Sequence, residues 1–258
     1  MELYHRDLGG AGRPPLVILH GMLGSSRNWL SAGAELAESF HVFALDLRNH
    51  GRSPHDATMN YEVLADDVLT WLDTQGVARA TLLGHSLGGK VAMRLACRAP
   101  ERMARLVVVD IAPRDYPEKL DRAEFAAMNA LRLEAIASRG DAERAMEPWV
   151  PNPLMRKYLT TNLEQDAAGG WRWSINLPAL TAAVPELVAN PLAPGDRYDG
   201  PVRFITGGKS DFVRPDDMAA IRSHFPAAEI VTMEGSGHNP HIEARAEFVR
   251  FVSAAVAS

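Results

Sequence analysis

The stretch TLLGHSLGGK, residues 81–90, joins a short apolar run to a helical pattern through a turn rich in glycine. Residues 81–83 are predicted as a buried strand, and residues 90–98 as a helix that a proline then ends. Residues 84–88 match the pattern G-x-S-x-G. Between a strand and a helix, this pattern predicts a strained turn that projects the Ser86 hydroxyl from the sheet, with glycines where side chains would crowd the backbone. The alternative is an ordinary tight turn with an unreactive serine.

Short apolar runs alternate with helical patterns on both sides of this turn. Further strands are predicted at residues 16–19, 41–46, 106–110, 202–206 and 229–233, and further helices at residues 61–74 and 244–256. Strands that alternate with helices are typical of a parallel sheet whose two faces are both covered. The sequence therefore predicts an α/β protein with a mostly parallel sheet flanked by helices.

The alternation breaks between residues 114 and 199, where helical patterns and prolines dominate and no strand is expected. This stretch also holds three of the five tryptophans. We interpret it as a helical cap inserted into the core. The predicted division is residues 1–113 and 200–258 for the α/β core and residues 114–199 for the cap. An ordinary run of core helices with long loops is the alternative interpretation.

Composition and charge exclude several classes of protein. With 27 Lys and Arg against 32 Asp and Glu, the net charge is -5, so there is no basic excess to neutralise nucleic acid phosphates. The single cysteine, Cys97, excludes an internal disulfide framework and a multi-cysteine metal site. No signal-type stretch or membrane-spanning apolar run is visible in the sequence. We expect a soluble, cytoplasmic protein that binds neither nucleic acid nor membranes.

A serine nucleophile needs a base, and in this fold type the base follows in the chain order serine, acid, histidine. His238 is the best candidate, because it lies in a glycine-rich loop directly after the last predicted strand. Such loops, at the carboxyl ends of parallel strands, are where these sheets place ligand chemistry. His241 is the rival, although we expect it near the start of the final helix. A metal site at these two histidines lacks a third ligand in the pattern.

An oxyanion formed during acyl transfer needs two hydrogen-bond donors. The backbone N–H of Leu87, which follows the predicted nucleophile, is the first. The second should come from the loop after the strand at residues 16–19, which begins His20-Gly21-Met22. Gly21 allows a sharp turn there, so we predict the Met22 N–H as the second donor. A plain turn at the strand end is the alternative.

These motifs together resemble those of α/β-hydrolases, and more narrowly those of YbfF-type esterases and abhydrolase domain-containing 11 proteins. The matching segments are DLRNHGRS at 46–53, MNY at 59–61, GHSLGGK at 84–90, DIAP at 110–113, WSINL at 173–177 and GGKS at 207–210. They extend over nearly the whole chain. The resemblance implies the α/β-hydrolase fold with a helical cap, and a serine hydrolase mechanism.

The resemblance leaves two candidates for the acid of the catalytic triad. Most α/β-hydrolases carry the acid after the strand predicted at 202–206, where this chain has Asp211. YbfF-like enzymes use an aspartate after the preceding strand, here Asp110, with a serine near the histidine, here Ser210. We favour Asp110, with Asp211 close behind. His20, Gly21 and His85 are expected beside the site.

The resulting hypothesis is a carboxylesterase that cleaves short- to medium-chain esters through an acyl-enzyme, without cofactor or metal. Its partner is a small-molecule ester or thioester, and it is a monomer or homodimer. Thioesterases, cofactor-free haloperoxidases and carbon–carbon bond hydrolases keep the same triad and stay open as alternatives. A non-enzymatic receptor or scaffold is the alternative from a different class. Asn49 and His50 are expected to brace the loop beside Ser86, and Lys90 to be a surface or paired residue.

Overall fold

A seven-stranded sheet forms the centre of the protein, which the computed structural model describes over residues 1–254. The strands are β1 (His5–Asp7), β2 (Pro15–Leu19), β3 (His41–Leu45), β4 (Ala80–His85), β5 (Met103–Val109), β6 (Leu163–Gln165), β7 (Trp171–Trp173), β8 (Val202–Gly207) and β9 (Ala228–Met233). The main sheet has the order β1-β3-β2-β4-β5-β8-β9, and all its pairs are parallel except β1 with β3.

Helices cover both faces of this sheet. They are α1 (Leu30–Leu36), α2 (Tyr61–Thr74), α3 (Leu87–Arg98), α4 (Ala123–Ala130), α5 (Arg139–Met146), α6 (Pro153–Thr160), α7 (Leu177–Ala182), α8 (Val184–Val188), α9 (Met218–His224), α10 (Pro240–Glu243) and α11 (Arg245–Ala254). Helices α1 and α11 pack into one apolar core, and α2 and α3 into the other. Alternate residues of the central strands point into the two cores, which is why both faces of the strands are apolar. This confirms the predicted α/β architecture.

Most predicted elements are present with small changes at their ends. The helix at 61–74 has the predicted bounds, and the Asn60 side chain caps it by accepting the Val63 N–H. The helix after the serine begins at Leu87, three residues before the predicted start. The edge strand β1 was not predicted, because its sequence His-Arg-Asp is polar and carries no apolar alternation. Residues 255–256 of the predicted final helix lie outside the described residues.

One expectation for residues 114–199, hereafter the β5–β8 segment, is wrong. We expected no strand there, but β6 and β7 form an antiparallel pair. A tight turn joins them, in which Gly169 has φ +83° and the Asp166 N–H donates to Gly170 O at 2.8 Å. Each strand has three residues, too short for its alternation to stand out in the sequence. No strand of this segment joins the main sheet.

The turn around Ser86 depends on direct contact between backbones. A Cβ atom placed on Gly88 would lie 2.3 Å from Leu19 O at the end of β2, and one on Gly84 would lie 2.2 Å from Gly88 O. Neither carbonyl belongs to a flexible side chain that can turn away. Only glycine therefore allows α3 to start against the ends of β2 and β4.

Within residues 1–254, no helix is long and apolar enough to cross a bilayer.

Replacing Gly88 with alanine should therefore destabilise the protein strongly. We expect Gly88→Ala to lower the free energy of unfolding by about 3 kcal/mol or more, because the backbone must shift to relieve the contact. Urea unfolding followed by circular dichroism measures this.

Gly140→Ala is the matched control, since a Cβ atom there meets its nearest neighbours at 3.6 Å, which is ordinary contact. It should leave stability unchanged or raise it by less than about 1 kcal/mol. Equal stability of the two variants would contradict the proposed backbone contact.

Candidate active site

Five neighbouring parallel strands end at the same edge of the sheet, and each is followed by a residue predicted for the site. The strands are β2, β4, β5, β8 and β9, and the residues are His20, Ser86, Asp110, Ser210 and His238. Because parallel strands run in the same direction, their carboxyl ends and the loops that follow them lie together. The fold alone therefore brings these chemically active side chains to one place.

Ser86 occupies a strained turn between β4 and α3. Its backbone has φ 51° and ψ −116°, a conformation that L-residues rarely adopt. The Ser86 N–H donates to Val109 O at 3.0 Å, which fixes the turn to the end of β5. Ser86 is the N-cap residue of α3, so its side chain lies at the positive end of the helix dipole. This arrangement agrees with the turn predicted from the sequence.

His238 is held by a buried aspartate. Its Nδ1 lies 2.7 Å from Asp110 Oδ2, and the Asp110 side chain has 0% exposure. The same carboxylate accepts the Gly207 N–H at 2.9 Å and a hydrogen bond from the Ser210 hydroxyl. An ionised carboxylate only accepts, so Nδ1 of His238 carries a proton. In the neutral imidazole, Nε2 then has a free lone pair and is able to take a proton.

Two further contacts fix the His238 residue, and neither was predicted. The Phe212 ring stacks on its imidazole with centroids 3.7 Å apart and an interplanar angle of 13°. His85 Nε2 lies 2.8 Å from the His238 backbone O. Burial and the neighbouring His238 and His241 hold the pKa of His85 well below its usual value. His85 is therefore neutral, and its Nε2–H donates to this carbonyl.

Asp211, the other candidate acid, lies in a different environment. Its side chain is 64% exposed, and its carboxylate lies 3.4 Å from Lys119 Nζ. Within the described residues, the carboxylate hydrogen-bonded to His238 Nδ1 is that of Asp110. The structure therefore brings Asp110 to the histidine and leaves Asp211 at the surface. Asp110 itself has φ 50°, so it too occupies a strained turn after a strand.

The loop after β2 lies against Ser86. A Cβ atom on Gly21 would lie 3.4 Å from Ser86 Cβ and 2.7 Å from His85 Nδ1, so only glycine fits this approach. Met22 and Leu87 both line a cavity that reaches Ser86. Leu87 is the first residue of α3, where a backbone N–H has no acceptor within the helix. Both residues predicted to supply a donor therefore line a cavity together with Ser86.

Buried histidines brace this loop. His20 Nδ1 lies 2.8 Å from Gly21 O, and its Nε2 accepts the Leu47 N–H at 3.0 Å. His50 Nε2 accepts the Leu23 N–H at 3.3 Å. Burial lowers the pKa of both rings, that of His50 to about 3, so both are neutral. His50 therefore has the bracing role that the sequence predicted.

The β5–β8 segment also holds the loop after β2, through contacts that the sequence did not predict. Asn162 Nδ2 donates to Leu23 O at 2.8 Å, and the Tyr158 hydroxyl donates to Met22 O at 3.3 Å. Asn162 is buried, and so is Leu23, which has φ 61°. The two side chains come from α6 and the residues after it, far away in the sequence. No local pattern marks them.

His241, the rival base, is packed in the core. It stacks on Trp29 with ring centroids 4.1 Å apart and is 4% exposed. Burial first, and then the neighbouring His238, lower its pKa to about 3. Among the residues that line the cavities at Ser86, the histidines are His85 and His238. Within the described residues, no group of three His, Cys, Asp or Glu side chains has a metal-binding arrangement.

Lys90 is buried, which corrects the expectation that it could be a surface residue. Its side chain is 2% exposed, and Nζ donates to Val188 O at 3.0 Å and Ala189 O at 2.6 Å. Its ammonium also lies 4.7 Å from the Tyr116 ring centroid. Burial lowers the pKa of Lys90 to about 7. Lys90 therefore connects the first turn of α3 to the carboxyl end of α8 through hydrogen bonds.

Two cavities open beside Ser86. The larger has a volume of about 600 Å³, and its lining includes Ser86, His238, Leu154 and Tyr158. The smaller has about 30 Å³, and its lining includes Ser86, Leu87, Leu187 and Phe212. Ser86 lines both cavities, so a ligand bound there has room for two arms that extend in different directions.

The sequence and the fold both match known proteins. A family model described as the alpha/beta hydrolase fold matches residues 14–245. The mouse sn-1-specific diacylglycerol lipase ABHD11 is 34% identical over 256 residues, which cover 96% of this chain and 83% of that protein. Esterase YbfF of Escherichia coli is 34% identical over 229 residues, covering 89% of this chain and 87% of that one. A solved structure described as a marine microorganism esterase matches with a TM-score of 0.96 and 32% identity, covering 99% of this chain and 100% of that one. These matches confirm the resemblance seen in the motifs, and the chain belongs to the α/β-hydrolase family.

Proposed function

We propose that this protein is a serine carboxylesterase in which Ser86 is the nucleophile, His238 the base and Asp110 the acid. The observation that carries the proposal is the hydrogen bond of 2.7 Å between His238 Nδ1 and the buried Asp110 carboxylate, with Ser86 lining the same cavity as His238. An acceptor at Nδ1 leaves Nε2 unprotonated and stabilises the imidazolium that forms when the base takes a proton. The names of the relatives, an esterase and a lipase, agree with this reaction class.

In the first half of the reaction, the Ser86 hydroxyl proton moves to His238 Nε2 as Oγ forms a bond to the ester carbonyl carbon. The carbonyl π electrons move to the oxygen, which the N–H groups of Met22 and Leu87 then bind. The C–O bond to the alcohol breaks as the intermediate collapses, and the departing oxygen takes the proton from His238. Water then repeats the sequence, gives its proton to His238, and releases the acid and the free serine. This chemistry requires neither a metal nor a cofactor.

We propose Asp110 as the triad acid because it combines burial with three hydrogen bonds. The Gly207 N–H and the Ser210 hydroxyl hold its carboxylate in position for His238. Asp211 is exposed and paired with Lys119, which suits a surface role. A buried, oriented carboxylate maintains the histidine tautomer, whereas an exposed one is screened by water.

We propose that the β5–β8 segment is a cap, with residues 1–113 and 200–258 as the core. Its side chains Arg122, Leu154 and Tyr158 line the larger cavity together with Ser86 and His238. Helices placed over the carboxyl edge of a parallel sheet shield the reacting groups from water and shape the substrate site. The substrate in this proposal is a short- to medium-chain ester, with a thioester as the alternative.

Replacing Ser86 with alanine should abolish esterase activity while the fold is kept. We expect Ser86→Ala to lower kcat for p-nitrophenyl butyrate by at least about 1000-fold, because the acyl-enzyme then has no oxygen on which to form. Labelling by a fluorophosphonate should be lost in parallel. Ser223→Ala is the control, since Ser223 is exposed on α9, and it should keep both properties. Full turnover by Ser86→Ala would refute the nucleophile assignment, and an unlabelled wild-type protein would favour the scaffold alternative.

The two aspartates can be separated with an isosteric pair of variants. Asp110→Asn should lower kcat by at least about 1000-fold, because the amide cannot maintain the Nδ1–H tautomer or stabilise an imidazolium. Asp211→Asn should leave kcat nearly unchanged, since that carboxylate is exposed. Ester hydrolysis and circular dichroism of both variants provide the comparison. A greater loss in Asp211→Asn, with both variants folded, would reverse the assignment.

A further inference from the structure

We propose that the acyl group of the substrate is limited to at most three or four carbons, whereas the alcohol is large and mainly apolar. This inference rests on the proposed function and specifies its substrate class. It starts from the position of Ser86 between cavities of about 600 Å³ and about 30 Å³. An ester bound at Ser86 directs its two arms in different directions from the carbonyl carbon. The unequal cavities therefore discriminate between the arms, and the chemistry decides which arm occupies which cavity.

Proton transfer fixes the direction of the alcohol. The departing oxygen must lie within hydrogen-bond reach of His238, because the imidazolium protonates it. His238 and the following Asn239 line the larger cavity and are not part of the lining of the smaller one. On the side of the smaller cavity, the ring of Phe212 covers the His238 imidazole at 3.7 Å. The alcohol arm thus leaves through the larger cavity, and the acyl arm occupies the smaller one beside Leu87.

The smaller cavity limits the length of the acyl group. On this measure of volume, a water-sized group needs about 10–15 Å³, so about 30 Å³ admits two or three heavy atoms beyond the reacting carbon. Its wall includes Leu187 and Val188 on α8 and Ile111 after β5, all of them buried. Lys90 holds the Val188 carbonyl through a hydrogen bond of 3.0 Å, so this wall is fixed to α3. A longer chain therefore requires α8 to move.

Cationic side chains are present in this lining, but each already has acceptors. Lys90 donates to the two carbonyls at the end of α8. Lys119 lies 3.4 Å from Asp211, and Arg122 lies 3.6 Å from Glu124. The surface that remains for a ligand comes largely from Leu87, Ile111, Leu187, Val188 and Phe212. A neutral acyl group such as acetyl or propionyl fits it.

The larger cavity is also largely apolar and differs from the smaller one in size. Its lining includes Leu154, Met155, Leu159 and Ile242, which form an apolar surface between α6 and α10. A volume of about 600 Å³ is typical of sites that take drug-sized ligands. An alcohol with an aromatic ring or a long alkyl chain buries more of this surface than a methyl or ethyl group. The geometry favours an acetate or propionate ester of such an alcohol.

Two ester series test the assignment with the wild-type protein. In the first, the alcohol is p-nitrophenol and the acyl group is lengthened from acetyl to octanoyl. We expect kcat/KM to fall by about 100-fold between propionyl and octanoyl, because the added carbons have no space. In the second series, the acyl group is acetyl and the alcohol is lengthened from methyl to octyl. Here kcat/KM should rise with length.

A matched pair of leucine variants tests which of the two cavities limits the length of the acyl group. Leu187→Ala removes a side chain of the smaller cavity and should raise the ratio of kcat/KM for hexanoate over acetate by about tenfold. Leu154→Ala removes an exposed side chain of the larger cavity and should leave that ratio unchanged. If Leu187→Ala does not fold, Val188→Ala opens the same wall and should shift the ratio in the same direction.

The possible outcomes separate the inference from the proposed function. Faster cleavage of octanoate than acetate, with no gain from longer alcohols, would overturn the inference while esterase activity stands. An unchanged hexanoate ratio in a folded Leu187→Ala protein would overturn the assignment of the smaller cavity to the acyl group. Failure to cleave any ester, together with an unlabelled Ser86, would refute the proposed function and the inference with it.

Discussion

The contact of Gly88 with the end of β2 is the constraint on which the rest of the site depends. A Cβ atom there would lie 2.3 Å from Leu19 O, so α3 starts directly against the strand. Ser86, two residues before Gly88, has φ 51° and ψ −116° at this tight junction. On the other side of this turn, a Cβ atom on Gly21 would lie 3.4 Å from Ser86 Cβ, so the loop after β2 lies against Ser86. The proposed nucleophile Ser86 therefore lies between two close backbone approaches, one at Gly88 and one at Gly21.

Backbone conformations with positive φ, which are strained for residues other than glycine, recur along this edge of the sheet. The non-glycine residues with positive φ in residues 1–254 are Leu23, Asn49, Ser86 and Asp110, and each follows a parallel strand. Such conformations cost about 1–3 kcal/mol each and persist only where the surroundings determine them. At two of these residues hydrogen bonds do so: the Leu23 N–H donates to His50, and the Asp110 carboxylate accepts from three donors. Supports of this kind favour the preorganised electrostatic stabilisation of an oxyanion that the proposed mechanism requires.

The sequence predicted what local patterns determine. The G-x-S-x-G turn and the helix α2 were visible because residue spacing and apolar periodicity are short-range properties. The family resemblance favoured Asp110 over Asp211, but no local pattern decides between them. The choice depends on which carboxylate reaches a histidine far along the chain. The burial of Lys90 and the stacking of Phe212 on His238 were hidden for the same reason. The cavities depend on α6 and α8, whose placement no periodicity reveals.

The central claim is that the acyl group of an ester becomes bonded to Ser86 Oγ before water releases it. The most direct measurement is acid quenching of the protein during turnover of p-nitrophenyl acetate, followed by mass spectrometry of the intact chain and its peptides. The account predicts a species heavier by one acetyl group, with the added mass on the peptide that contains Ser86. Turnover without any acylated species, or acylation confined to a different residue such as Lys119, would contradict it.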